Sequence, residues 1–433
     1  MSAHETYAEV AAEAWRWVLA QVRWDDGPWL PTSVPWPDDA GPPPDRDGLH
    51  SGVAGLALAL AEVARTRPWT DEEERLAFGV AERLRRRIPT SYDATWFDGL
   101  PGDACALLAL GSDGGDGADG ADGADGAEAA FARLAELATP DGWAQTVTTP
   151  PKFLPGARIS DATLGTAGVL LAAVTGLEHD VTGAREVAEH AAGVLLAEAE
   201  PAEGGLRWRF VPERFRTTPA TEMPNWSHGT AGIAAALALA GEALGRADLV
   251  ETATAGAAHL VTLAVPSGDG VVLPRYAPEP LPDEEPYSFG WCHGAAGTSQ
   301  LFAALERAGV PSVAGEPPAT WRRRLLASVV SSGLPERLRP GFWDNDGRCC
   351  GTAGVGEIVL DAWQSGGDAH DLAFARRLGD ALVERAVRDG DGACWRFVAP
   401  EQPDPLLPPG TGWMQGAAGI AAYLTRLARV SPP

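Results

Sequence analysis

The sequence predicts an all-α protein, an α/α toroid of seven inner and seven outer helices. Three observations predict it. A Gly-x-x-Gly step recurs at Gly52/Gly55, Gly99/Gly102, Gly165/Gly168, Gly229/Gly232, Gly294/Gly297, Gly351/Gly354 and Gly416/Gly419, with 47, 66, 64, 65, 57 and 65 residues between successive first glycines. Self-similarity on that scale marks a repeat architecture. Each step opens an Ala/Leu/Val-rich segment that is apolar all round, and such a helix must be buried on every side. Between these segments lie amphipathic ones with interleaved charges. Fourteen alternating helices that bury an inner ring close into a toroid. An open helical solenoid is the second reading, but it needs polar capping repeats, and neither end of this chain looks like one.

The elements follow in order, within one domain spanning residues 1–433. Residues 1–49 hold an outer helix, with a helical pattern over 5–23, and then a Trp/Pro/Asp-rich loop whose prolines exclude regular structure over much of its length. The first inner helix runs from His50-Ser51-Gly52 to about Ala64. Thr70 to Arg87 reads as an outer helix: Thr70 is a candidate N-cap, acids fill the first turn and arginines the last, as the helix dipole favours. The second inner helix begins at Gly99 and runs into 111–126, an Asp-Gly-Ala tract read as a flexible acidic loop. A calcium-binding glycine/aspartate repeat is the sharper alternative, but the spacing does not fit the nine-residue form. Outer helices are expected near 127–138, 182–199, 246–264, 317–332 and 367–388. Inner ones are expected from Gly165, Gly229, Gly294, Gly351 and Gly416. Aromatic, proline-rich pieces such as Leu206 to Glu213 and Cys394 to Glu401 precede the Gly-x-x-Gly turns as short strands or extended loops. The glycines are expected to allow close backbone approach and positive φ as the helix starts converge.

Composition bounds the function. An apolar content of 45% with 21% charged residues suits a globular chain, and no run of about 18 apolar residues suggests a transmembrane helix. The first residues lack a basic region followed by an apolar one, so a cytoplasmic location is expected. A net charge of -25 argues against nucleic acid, which needs a basic surface to displace counterions. Five cysteines, one pair of them vicinal, make a poor disulfide framework and point to metal binding or catalysis.

The repeats differ in the residue before the first glycine: Ser51, Asp98, Leu164, His228, His293, Cys350 and Gln415. His50, Asp161, Cys292 and Cys349 stand close by. If the repeats superpose, Cys292, Cys349 and Cys350 meet at one end of the ring. Three thiolates there suit a tetrahedral zinc with an open fourth position; packing of free thiols is the plain alternative, and it is the reading for Cys105 and Cys394. A zinc-bound thiol loses its proton near neutral pH. With three protein thiolates the centre carries excess negative charge. That favours thiol alkylation or addition over hydrolysis.

Together, the sevenfold Gly-x-x-Gly helices, Trp291-Cys292-His293-Gly294, Cys349-Cys350-Gly351 and Ser227-His228-Gly229 resemble the lanthionine synthetase C-like family over about residues 50–430. The resemblance implies an α/α toroid with zinc at one end and cyclisation of a dehydrated precursor peptide, in which cysteine thiols add to dehydroalanine or dehydrobutyrine to form thioether rings. It implies zinc ligands at Cys292, Cys349 and Cys350, as in the family's Cys-Cys-Gly subgroup, with cysteine replacing the usual histidine. His228 matches the family's candidate general acid or base. Asp161 matches the aspartate near it and would orient it, though a helix N-cap is the structural alternative. His293 is open between a partner of the site and a cap. Many peptide cyclases carry an arginine shortly before the Trp-Cys motif; here that region reads Glu285-Pro286-Tyr287-Ser288-Phe289, and Arg348 is the candidate substitute. Trp-Cys-His-Gly is closer to eukaryotic-type members that add glutathione to dehydroamino acids, so addition of a small thiol is the rival activity. A peptide-binding toroid with structural zinc, with His228 or His293 as fourth ligand, is the non-enzyme rival. As a cyclase the chain is expected to work beside separate dehydratase enzymes.

Overall fold

The computed structural model describes residues 3–37, 40–113, 120–145, 154, 156–217, 221–278, 285–336, 345–390, 392–398 and 406–431. Among them are fourteen α-helices. The amphipathic series is α1 (Ala3–Gln21), α3 (Asp71–Arg87), α5 (Gly120–Leu137), α7 (Ala184–Ala197), α9 (Ala247–Leu263), α11 (Pro318–Val330) and α13 (Ala369–Arg385). The apolar series is α2 (Val53–Ala64), α4 (Leu100–Asp113), α6 (Thr166–Glu178), α8 (Thr230–Leu244), α10 (Ala295–Arg307), α12 (Thr352–Gly366) and α14 (Ala417–Arg429). Every helix of the apolar series starts within a residue of its predicted glycine. The apolar series is buried as its composition demands: in α8, Thr230 to Ala238 are buried without a break. No helix among the described residues is long and apolar enough to cross a membrane.

The chain forms two compact units: Met1–Arg87 with Ala106–Gly126 and Gly333–Pro433, and Ile88–Cys105 with Ala127–Ser332. In the second unit α8 packs against both α6 and α10, and α7, α9 and α11 back these three helices in turn. In the first unit α14 packs on α12, on α2 and most extensively on α1. The last repeat therefore lies beside the first, and the N-terminal helix backs it. An open solenoid would keep those two repeats apart.

Two-stranded antiparallel hairpins precede several helices of the apolar series: β1 (Glu200–Ala202) with β2 (Gly205–Arg207), β3 (Val265–Ser267) with β4 (Gly270–Val272), β5 (Val387–Asp389) with β6 (Gly392–Cys394), and β7 (Arg396–Val398) with β8 (Leu406–Pro409). The two aromatic, proline-rich pieces of the sequence begin in β2 and around β7, so the short-strand reading holds there. Thr70 caps α3 as expected, in a reciprocal box: its hydroxyl accepts from the Glu73 amide at 3.3 Å, and Glu73 accepts from the Thr70 amide at 2.8 Å.

Two expectations are corrected. The tract 111–126 is helical where described: α4 continues to Asp113 and α5 begins at Gly120, with 114–119 outside the described residues. Composition alone misses the reason. Gly123 sits against the Leu107 carbonyl and the Gly111 Cα, where a Cβ would come within 3.0 Å, so glycine lets the start of α5 cross the end of α4.

The lead-in glycines also do not need positive φ. At Gly52, Gly165, Gly229, Gly294, Gly351 and Gly416 φ lies between -99° and -150°. Their necessity is close approach. The residue after each first glycine donates its N–H to the carbonyl seven positions earlier: Val53 to Arg46, Leu100 to Asp93, Thr166 to Ile159, Thr230 to Met223, Ala295 to Ser288, Thr352 to Asn345 and Ala417 to Gly410. That bond folds the turn onto the glycine, and a Cβ at any of the seven would fall under 3.0 Å from backbone atoms of the same turn.

Candidate metal centre and proton-transfer pair

The seven turns share one local fold. In three neighbouring pairs the residue two before one glycine bonds its counterpart in the next. Ser227 donates its N–H to the Cys292 carbonyl at 3.0 Å, Cys349 to Met414 at 2.8 Å and Met414 to His50 at 3.0 Å. These backbone bonds set the height at which the side chains of the turns project.

The Sγ atoms of Cys292, Cys349 and Cys350 all lie within 4.8 Å of one another. Those of Cys349 and Cys350 are 3.3 Å apart. Cys292 is buried and the vicinal pair is half-buried. A tetrahedral zinc with bonds near 2.3 Å needs sulfur–sulfur edges of about 3.8 Å. The donor set and its spacing therefore fit such an ion. The two remaining cysteines are apart from this group. Burial pushes the Cys105 thiol up to about 11, and does the same at Cys394, whose Sγ lies 3.6 Å from the Val387 carbonyl. Both keep their protons and behave as small apolar side chains, as expected.

His228 and Asp161 are together. His228 Nδ1 lies 2.6 Å from Asp161 Oδ2, and the carboxylate is fully buried. Asp161 Oδ1 meanwhile accepts the Leu164 amide at 2.7 Å. Asp161 thus serves its own turn with one oxygen and His228 with the other. It caps the turn, and the helix N-cap itself is Gly165. Asn225 holds the corresponding turn of His228, accepting the His228 amide at 3.1 Å. The His293 ring lies 5.3 Å from that of His228, and Phe210 packs edge-on to His228 at 5.4 Å. His50 bonds Ser51 Oγ beside it at 2.8 Å.

Arg348, the candidate substitute for the family arginine, is paired with an acid of α12. Its Nη1 donates to Glu357 Oε1 at 2.8 Å, and its guanidinium stacks 4.1 Å over the Trp413 ring. Glu357 is buried inside α12 and also accepts from Arg426 at 2.6 Å. Burial works to raise its carboxyl, but the charges of Arg348 and then Arg426 outweigh that and hold it below the usual carboxylate range. The Arg348 amide, like that of Cys349, donates to the Met414 carbonyl. The residue is a brace of the cysteine turn.

The family model for lanthionine synthetase C-like proteins matches residues 43–432. The chain belongs to the lanthionine synthetase C-like family. A comparison with curated proteins finds no match. Among solved structures, the chain is similar to nisin cyclase at 15% identity and a TM-score of 0.55, covering 88% of each chain. It is also similar to a sugar epimerase from a ruminal bacterium at 10% identity and a TM-score of 0.53, over the whole of both chains. At these identities the likeness speaks for the fold alone, and it is the α/α toroid expected from the repeats. Within the family frame, the sequence had named the three cysteines, His228, Asp161 and His293. It had not named Thr163, whose hydroxyl reaches the His228–Asp161 pair, nor Glu357, which holds Arg348. A signal existed for Glu357: a lone charged residue within the apolar run Thr352 to Leu360 must be paired if it is to be buried.

Proposed function

We propose that the chain is a zinc-dependent cyclase that joins cysteine thiols of a dehydrated precursor peptide to dehydroalanine or dehydrobutyrine as thioethers. Family membership supports a cyclase-like role, and the observation that carries the finer reading is the convergence of Cys292, Cys349 and Cys350 within 4.8 Å. These three residues would hold zinc, which supplies acidification of the incoming thiol while their charge keeps its sulfur nucleophilic.

The chain's own residues account for the proton. When the thiolate sulfur bonds the β-carbon, the π pair of the dehydro residue moves away as an enolate and the α-carbon needs a proton. His228 carries its Nδ1–H on buried Asp161, which leaves Nε2 for the substrate. The carboxylate stabilises the imidazolium and fixes its orientation, so Nε2–H donates to the α-carbon. His293 flanks that imidazole from the turn that also bears Cys292. In this reading Arg348 does not meet substrate, because Glu357 and Trp413 occupy its guanidinium. Separate dehydratases would supply the peptide.

The test is elemental analysis of the purified protein and of Cys350→Ala, followed by thioether formation on a dehydrated peptide with either its own cysteine or glutathione as donor. About one zinc per chain, lost in the variant together with ring formation, is expected. Full zinc and full activity in Cys350→Ala would sink the assignment. Turnover with glutathione alone would move the protein to small-thiol addition.

A further inference from the structure

Thr163 stands at the centre of the pair just described. It is buried, at 1% exposure, two residues after Asp161 and two before the glycine that opens α6. Its Oγ1 lies 3.1 Å from Asp161 Oδ2, 3.3 Å from His228 Nδ1 and 3.4 Å from the Ser227 carbonyl. The same Asp161 oxygen serves His228 at 2.6 Å. A hydroxyl has one proton to give and lone pairs to accept with. The nearer and charged acceptor, Asp161 Oδ2, takes the proton, since hydrogen bonds to ionised groups are the stronger ones. The oxygen lone pair is then turned to His228 Nδ1, whose N–H faces two acceptors.

We propose that Thr163 is a positioning residue for His228: its hydroxyl closes a three-membered ring with Asp161 and the imidazole, fixing the proton on Nδ1 and leaving Nε2 to the substrate. A bare Nδ1 turned inward would face the Asp161 carboxylate and a hydroxyl whose single proton that carboxylate already holds, so the Nδ1–H tautomer is the one this arrangement favours. The groups that face the ring are Asp161 and Thr163 from the turn before α6, His293 from the turn before α10, and uncharged Phe210. His293 acts equally in every variant below.

The inference rests on His228 being the proton donor, but its test does not need turnover. The His228 tautomer is read from the imidazole 15N shifts by NMR on the zinc-loaded protein in alkaline buffer, its signals assigned by their loss in His228→Asn. Thr163→Val and Thr163→Ala remove the hydroxyl, and Thr163→Ser keeps it. We expect the Nδ1–H form to dominate in wild type and in Ser, and its ratio to the Nε2–H form to fall about threefold or more in Val and Ala. If Val does not fold, Ala decides. A tautomer ratio that stays put without the hydroxyl, or an Nε2–H form dominant in wild type, overturns the proposal. Loss of ring formation in every variant with the ratios moving as stated would overturn the cyclase reading and leave this one standing.

Discussion

Replacing Glu357 tests what the cysteine turn hangs on. The carboxylate lies inside α12 with 8% of the residue exposed, and it takes Arg348 at 2.8 Å and Arg426 at 2.6 Å. Glu357→Ala leaves two half-buried guanidinium groups without their shared counter-charge. Breaking a buried pair by removing one partner costs about 3–5 kcal/mol, because the remaining charge stays desolvated. The upper half of that range applies here, since one carboxylate serves two cations. The loss falls on the contact of α12 with α14 and on the turn that carries Cys349 and Cys350, so zinc retention should fall with stability. The assay is denaturant unfolding together with zinc occupancy under a competing chelator. A triple change of Arg348, Glu357 and Arg426 to Met is the control: it removes the buried charges, leaves Asp361, the other partner of Arg426, half-exposed to water, and should cost less than Glu357→Ala alone. Wild-type stability in Glu357→Ala would refute the reasoning. So would Arg348→Met with wild-type stability and zinc but no thioether formation, which would return Arg348 to the substrate.

Gly229→Ala should leave little folded protein on expression, because its Cβ would fall under 3.0 Å from the Met223 carbonyl, which is held by the Thr230 amide; Gly193→Ala in α7, with nothing within 4 Å, should instead gain about 0.5–1 kcal/mol in a denaturant melt. His259 on α9 bonds Glu222 at 2.8 Å, and that bond raises its pKa above the ordinary value against the opposing effect of burial. The pair therefore stabilises fully below about pH 6.5, the unfolded value, and loses its effect as pH climbs through the folded one. The stability gap between wild type and His259→Gln should narrow over that rise, and a widening gap would contradict it. At α3, burial works to raise the Glu73 carboxyl, but Arg67, the Thr70 amide and Trp15 outweigh it and hold it at about 2. That contribution is present above about pH 4.5 and fades as pH falls toward 2, so the gap to Glu73→Gln should close over that range in acid unfolding. Thr70→Ala should cost about 1 kcal/mol in the same protein at neutral pH.

What the sequence made legible, and what it hid, divides along one physical line. Gly-x-x-Gly leaves a mark because its cause is local. Backbone atoms four to six residues back crowd the glycine, no side chain fits, and the same cause acts seven times. Seven apolar helices could be placed to the residue for that reason, while the φ > 0 rationale for the same glycines failed. The cysteine cluster was legible because thiols are rare and two of them are adjacent in the chain. The hidden features all depend on partners far along the chain. Residues 120–126 look like a linker by composition, yet helix–helix approach at Gly123 and Gly126 makes those glycines useful in α5. Arg348 looks like a site residue from its place beside Cys349, and only the arrival of Glu357 and of Arg426, 78 residues on, shows that its charge is already taken. Thr163 is the plainest case. In the sequence it is a threonine before a glycine turn, and its meaning comes from His228, 65 residues later. A short polar side chain gains a role only through the acceptor that folding brings to it. That is why the hydroxyl-keeping variant Thr163→Ser, rather than a change to His228 itself, separates a residue that tunes the proton from one that merely fills space.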